Sequence, residues 1–156
     1  MKIPTWLINP RKVRPPKVSF KQVPPYSFVG ENQFAFSRDP KDILTAEQVM
    51  SCIVLTVYDA KNKAGAVVHI RRTHENITKQ LIRIKSIFKK NAVYHVSINS
   101  PGATPEFTKL VSSSAKDVFG GSIKDGGRDV EPYAVSSFHL KINDGSIQKT
   151  TFNLYK

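Results

Sequence analysis

A nearly unbroken apolar stretch in the middle of the chain predicts a pair of adjacent strands. Cys52–Tyr58 is rich in β-branched side chains, which is typical of a central strand covered on both faces. After a turn over Ala60–Ala64, the segment Gly65–Arg71 has the same apolar character. Because the connection is short, the two strands are expected to pair antiparallel as a hairpin.

Two later segments change to the period of a helix. Asn76–Asn91 is predicted to be helical because apolar residues recur at steps of four, three and four. These residues are Ile77, Leu81, Ile84 and Phe88. A second helix is predicted to begin at Thr104, which can cap it and is followed by proline and glutamate. Its expected inner stripe is Phe107, Leu110, Val111, Ser114 and Val118.

The remaining patterned segments predict further strands. Residues 26–38 indicate a strand or a bent pair, and residues 43–50 a strand or a short helix. Strands are also predicted over Val93–Ile98, Val135–Ile142 and Gln148–Tyr155, the last two joined by a hairpin turn. Strands, two helices and then more strands predict an α+β domain with one mixed sheet flanked by two main helices.

Charge and proline content set the N-terminus apart. The net charge is +12, and the first thirty residues hold six Lys or Arg, no acid and six of the ten prolines. Because proline is excluded from helix interiors and central strands, residues 1–25 are predicted to form an extended basic arm before a single domain over 26–156. Its expected apolar anchors are Trp6, Leu7, Val18 and Phe20.

Two interpretations of the arm remain open. The favoured one is a solvated arm wrapped on the domain. The other is a patch for an acidic partner surface, nucleic acid or anionic lipid. No RNA-recognition or helix-turn-helix signature supports nucleic acid as the partner.

Several classes of function lack their sequence signals. No apolar run approaches the ~20 residues of a membrane-spanning helix, and the apolar N-terminal patch is too short and proline-broken for a cleavable secretory signal. A single cysteine allows no internal disulfide, and four scattered histidines do not form a zinc motif. No phosphate-binding glycine loop is visible, so neither a metal nor an organic cofactor is expected.

The candidate chemistry lies at one end of the predicted hairpin. Cys52 opens the first strand and His69, seventeen positions later, ends the second, so the two side chains could meet across the pair. A thiol beside an imidazole can become a nucleophilic thiolate. The alternative is that Cys52 is a small buried hydrophobe and His69 a structural residue.

Residues 51–69 resemble the CheD family of chemoreceptor glutamine deamidases. The shared features are Ser51-Cys52, Asp59 seven residues after the cysteine, the pair Gly65-Ala66, and His69. The resemblance implies a layered α/β/β sandwich, with Cys52 as nucleophile and His69 as base. A similar fold and Cys–His pair occur in toxin deamidases such as Burkholderia lethal factor and cytotoxic necrotizing factor.

The third catalytic residue follows from the resemblance less directly. The family has a threonine six positions before the cysteine, where this chain has Ala46 with Thr45 next to it. Thr45 is therefore the expected third residue, acting through its hydroxyl or its carbonyl, and Ser51 is the alternative. The glycine-rich approach of the family is absent, since Glu47–Ser51 precedes Cys52 here.

The function that the resemblance implies is hydrolysis of glutamine side-chain amides in a partner protein. Transglutamination by the same residues and a non-catalytic module that binds an acidic partner remain open. A chemoreceptor deamidase would act in a bacterial cytoplasm, whereas a toxin or effector would be exported without a cleavable signal into a host or rival cell. The basic arm favours the toxin or effector role.

Overall fold

Residues 19–71, 76–127 and 134–153 are described in the computed structural model of the protein. They contain nine strands and two helices. The strands are β1 (Lys21–Gln22), β2 (Gln33–Ser37), β3 (Ile43–Val49), β4 (Ile53–Asp59), β5 (Ala64–Ile70), β6 (Tyr94–Asn99), β7 (Ile123–Asp125), β8 (Ala134–Lys141) and β9 (Ile147–Asn153), and the helices are α1 (Ile77–Lys85) and α2 (Pro105–Phe119).

Six strands form a mixed sheet in the order β1-β2-β5-β4-β6-β7. The two outer pairs, β1–β2 and β6–β7, are parallel, and the inner pairs are antiparallel. Every residue of β4 and β5 is buried. The predicted central hairpin is therefore confirmed.

The other three strands form a second sheet in the order β3-β8-β9. One apolar core lies between the first sheet and the helices, and it includes Leu55 and Leu81. A second core lies between the two sheets and includes Val54 and Phe138. These layers form an α/β/β sandwich, which confirms the predicted fold class.

The strand pattern predicted a single mixed sheet, but the structure has a mixed sheet and a separate three-stranded sheet. The C-terminal hairpin β8–β9 pairs with β3 instead of extending the first sheet. Phe138 and Leu140 of β8 then cover the face of the first sheet that the helices leave open, which explains why a separate layer forms.

The helices begin largely where predicted. The Thr104 side chain accepts a hydrogen bond from the Phe107 N–H, so the predicted cap is confirmed. The first helix ends at Lys85, not at Asn91, because Ile87 and Phe88 instead make tight bonds to carbonyls three residues back. In the second helix Leu110 is exposed, contrary to prediction, while the other four residues of the stripe are buried.

The end of the predicted arm belongs to the fold. Phe20 is fully buried in the helix-side core, and β1 pairs with β2. The predicted anchors Trp6, Leu7 and Val18 lie outside the described residues. Within the described ranges, no helix is both long and apolar enough to cross a membrane.

Candidate functional site

Cys52 lies immediately before β4, at the end of the sheet. Its side chain belongs to the core between the two sheets and is 5% exposed. The two preceding residues, Met50 and Ser51, are exposed. The thiol therefore lies just below the protein surface, at the point where the chain enters a central strand.

His69 is on the neighbouring strand and on the same face. It pairs directly with Val54, which is two residues after Cys52 and contributes to the same core. Since side chains two apart on a strand share a face, Cys52 and His69 occupy diagonal positions, about 7–8 Å apart between Cα atoms. No hydrogen bond joins the two side chains. The Cys52 thiol donates to Glu31, and Nε2 of His69 has no partner among the described residues.

The hydrogen bonding of His69 fixes its tautomer. Its Nδ1 lies 3.0 Å from the carbonyl oxygen of Val29, and a carbonyl only accepts, so Nδ1 carries the proton. Nε2 then holds a lone pair. It is buried and has no hydrogen-bond partner among the described residues.

The charge state of His69 agrees with this arrangement. Burial lowers its pKa, and the opposing effects of the Val29 carbonyl and the Glu31 carboxylate are smaller. A neutral imidazole with an unused lone pair is the form that a general base requires.

Val29 lies in the connection between β1 and β2, where the chain touches β3 of the second sheet. Its N–H donates to the carbonyl of Thr45 at 2.8 Å, beside an isolated bridge to Ala46. Its own carbonyl is thus held facing the imidazole. The group that orients His69 is therefore a backbone carbonyl, which sequence reasoning missed.

Thr45, the expected third catalytic residue, has a different position. Its hydroxyl bonds to Nδ1 of His139 at 3.0 Å, so it does not reach His69. Its carbonyl acts on His69 only through the peptide of Val29. Ser51, the alternative, is exposed at the rim of the site.

A second residue that sequence reasoning missed is Glu31. The Cys52 thiol donates to its Oε1 at 3.8 Å, and its Oε2 lies 3.4 Å from a guanidinium nitrogen of Arg71. Both charged side chains are more than half exposed. They form the outer border of the site.

This border affects the acidity of the thiol. The pKa of Cys52 is raised to about 11, first by burial and then by the charge and hydrogen bond of Glu31, while Arg71 opposes the rise. In the resting protein the thiol is protonated and the imidazole is neutral.

Other residues of the segment 51–69 stabilise the hairpin. Asp59 is at the far end of β4, where its carboxylate accepts bonds from the N–H groups of Lys61, Asn62 and Val93. Gly65 lies against side chains of the second sheet, where a β-carbon would crowd Ile142. Asp59 and Gly65 therefore have structural roles that explain their presence without any part in chemistry.

A cleft of about 360 Å³ lies between α2 and the edge strands β6 and β7. It is lined by Ile98 and Pro105, and Ile98 belongs to the helix-side core, so the cleft opens on the opposite face from Cys52. Among the described residues, no three Cys, His, Asp or Glu side chains are placed to hold a metal. No protein-family model matches the chain, and no curated protein matches it either.

Proposed function

We propose that the protein is a cysteine-dependent deamidase that converts glutamine side chains of a partner protein to glutamate. The observation that carries this proposal is the buried, unpartnered Nε2 lone pair of His69 on the same face as Cys52. A buried polar atom without a partner is costly, and such atoms concentrate where a substrate or proton is handled.

The first half of the reaction forms a thioester. Rotation of the Cys52 side chain turns the thiol from Glu31 towards His69, whose Nε2 takes the proton as the sulfur attacks the amide carbon. The new C–S bond forms as the C=O electron pair moves to oxygen. When that pair returns, the C–N bond breaks and the imidazolium gives its proton to the departing ammonia.

The second half hydrolyses the thioester. A water molecule loses a proton to His69 and attacks the carbonyl carbon, and the thiolate then leaves and recovers its proton from the imidazolium. The product is glutamate, and the partner protein gains one negative charge. Because the thiol is protonated at rest, proton transfer accompanies attack and does not precede it.

Glu31 supports a neutral side chain as the substrate. Its carboxylate accepts the hydrogen of the Cys52 thiol. The negative charge of Glu31 would therefore repel a substrate carboxylate brought to the same sulfur. A glutamine carboxamide avoids this repulsion, whereas the glutamate product does not. The same charge therefore favours entry of the substrate and release of the product.

The setting that we propose is that of a bacterial toxin or effector acting on a host or rival protein. A chemoreceptor as substrate is the alternative from the same resemblance. The two settings differ in the partner and share the chemistry.

The test is conversion of glutamine to glutamate in captured partners. Cys52→Ala protein is used to capture partners from host and bacterial lysates, and the wild type is then added to fresh partner. The expected result is a mass gain of about one dalton per site and release of ammonia in this nucleophile-dependent reaction, both abolished in Cys52→Ala and Cys52→Ser.

His95→Asn is the matched control, because His95 is exposed on β6 and lies outside the proposed site. It should convert the partner at the wild-type rate, whereas His69→Asn should not. Full conversion by Cys52→Ala would overturn the proposal and favour a binding module. Ammonia release with a new amine attached to the partner would instead indicate transglutamination.

A further inference from the structure

Asn99 flanks Cys52 on the side opposite His69. In the first sheet β4 lies between β5 and β6, and Val54 pairs with His69 on one side and with Asn99 on the other. Residues paired side by side point to the same face of a sheet. Asn99 therefore lies diagonally to Cys52, as His69 does, at the same end of the central strand.

The Asn99 side chain has an unused donor. It is only 8% exposed, and its Nδ2 is buried without a hydrogen-bond partner among the described residues. Two of the four such side-chain atoms in the described part of the chain, His69 Nε2 and Asn99 Nδ2, thus flank one cysteine. One of them is an acceptor and the other a donor.

Packing at Gly126 fixes the orientation of the amide. A β-carbon at Gly126 would collide with Oδ1 of Asn99, so this oxygen lies directly against the glycine backbone. Gly126 follows β7, on the far side of β6 from Cys52, and its N–H bonds to the Ile98 carbonyl. The oxygen is therefore on the β7 side, which leaves Nδ2 as the corner nearer to β4.

We propose that Nδ2 of Asn99 binds the carboxamide oxygen of the substrate glutamine and stabilises the oxyanion when Cys52 attacks. The inference rests on the proposed deamidase function and adds the group that receives the developing charge. As the C–S bond forms, the C=O electron pair moves onto oxygen. A preplaced N–H donor in a site shielded from water stabilises that charge strongly.

The arrangement also suits glutamine in particular. The substrate places its oxygen towards the Asn99 donor and its departing nitrogen towards His69, which returns the proton. A carboxylate in the same position would lie near Glu31 and would offer no leaving ammonia. The charge of Glu31 therefore disfavours an acid, and Asn99 determines which end of the amide faces His69.

The test uses a capped peptide with an aldehyde in place of the glutamine carboxamide. Such a peptide adds reversibly to a thiol and forms a tetrahedral adduct, so it should protect Cys52 from alkylation by iodoacetamide. The variants are Asn99→Ala, which removes the donor, and Gly126→Ala, which displaces the amide. Ser97→Ala, two residues along the same face of β6, is the matched control.

In both site variants the peptide concentration for half protection should rise by about threefold to tenfold, as for loss of one hydrogen bond to the oxygen of the neutral adduct. Protection is expressed relative to the alkylation rate of each variant without peptide, so that a change in the reactivity of the thiol itself does not enter the comparison. Ser97→Ala should protect as the wild type does.

The outcomes separate the two proposals. Wild-type protection in both Asn99→Ala and Gly126→Ala, with circular dichroism spectra unchanged, would overturn the role of Asn99 and leave the deamidase intact. If the peptide fails to protect the wild type and no glutamine is converted in captured partners, the deamidase proposal and this inference both fall.

Discussion

Two groups near the Cys52 thiol can accept a proton, the carboxylate of Glu31 and Nε2 of His69, and we expect them to affect its reactivity in opposite ways. Glu31 accepts its hydrogen at rest and raises its pKa, whereas the lone pair of His69 is available only after the side chain rotates. At the scale of single residues, the site therefore holds a protonated thiol and a neutral imidazole.

Replacing Glu31 should activate the thiol. Glu31→Gln removes the negative charge that raises the pKa of Cys52 and leaves only a weaker, neutral acceptor, so this pKa should fall from about 11 towards its ordinary value. The thiolate fraction near neutral pH, and with it the alkylation rate, should rise about tenfold for each unit of decrease. The measurement is the pH–rate profile of alkylation by iodoacetamide.

Arg71→Gln supplies the opposite test, because the guanidinium lowers the same pKa. Its alkylation should be slower than that of the wild type near neutral pH. Glu47→Gln is the control on β3 and should leave the profile unchanged. An inflection that stays at the wild-type pH in Glu31→Gln would mean that burial alone sets the acidity of the thiol.

Sequence spacing could predict the cysteine and histidine of the site but not their neighbours. Cys52 and His69 lie on one hairpin, where a short turn fixes the register. Val29, Glu31 and Asn99 reach them from a loop and from a separate strand, and no local pattern records those contacts. Spacing from Cys52 predicts Thr45 as the third catalytic residue, yet its hydroxyl bonds to His139, 94 residues away.

At the scale of elements, the hairpin that carries the site depends on a buried carboxylate at its other end. Asp59 is fully buried and accepts hydrogen bonds from three backbone N–H groups and from the side chain of Asn62. Burial raises its pKa, but these bonds outweigh that effect and the net pKa is lowered. The ionised form therefore stabilises the turn.

Asp59→Asn should destabilise the protein by about 1–3 kcal/mol, because at least one buried donor loses its acceptor. A lowered pKa means that the stabilisation is present above the ordinary value of 3.8 and is lost as pH falls through the lower value of the folded state. Urea unfolding of wild type and variant should therefore differ clearly at neutral pH and much less in acid.

Asp117→Asn on α2 is the control, since Asp117 is exposed and lies away from this turn. It should change the free energy of unfolding by less than about 0.5 kcal/mol. Equal stability of Asp59→Asn and wild type at neutral pH would contradict the structural role of Asp59.

Strands and helices could be predicted where the hydrophobic or capping pattern involves residues close in sequence. The buried run of β4, the Thr104 cap and the stripe from Ile77 to Phe88 depend on residues close in sequence. The split into two sheets was not predictable, because β8 pairs with β3 across most of the chain. The early end of α1 was also hidden, since Phe88 keeps its helical spacing and its burial after the helix has ended.

For the whole molecule, part of the positive charge has a structural role. Some cations hold the fold: Arg83 donates to the carbonyl of Phe20, and Lys85 donates to the carbonyl of Val118 at 2.9 Å. The Phe20 N–H in turn donates to the Gln80 side chain. Phe20 therefore ties this part of the chain to α1, and the domain includes residues before 26.

This boundary makes the role of the charge testable by two deletions. Residues 1–18 contain five of the six cations of the first thirty residues, and Phe20 and β1 lie just beyond them. Deleting 1–18 should leave the unfolding midpoint and the alkylation rate of Cys52 near wild type. Capture of partners by Cys52→Ala protein should fall at low salt, where the lost cations would attract an acidic partner. At high salt the deletion should have little effect, because salt screens that attraction.

Deleting 1–22 also removes Phe20 and β1 and should cost about 3–5 kcal/mol of stability, as for loss of a large buried aromatic side chain. The difference between the two deletions separates structural support from electrostatic attraction. If deletion of 1–18 destabilises the domain as much as deletion of 1–22, the whole segment supports the fold. If it leaves capture unchanged at low salt, its charge does not recruit the partner, and substrate selection must then lie in the surface around Cys52.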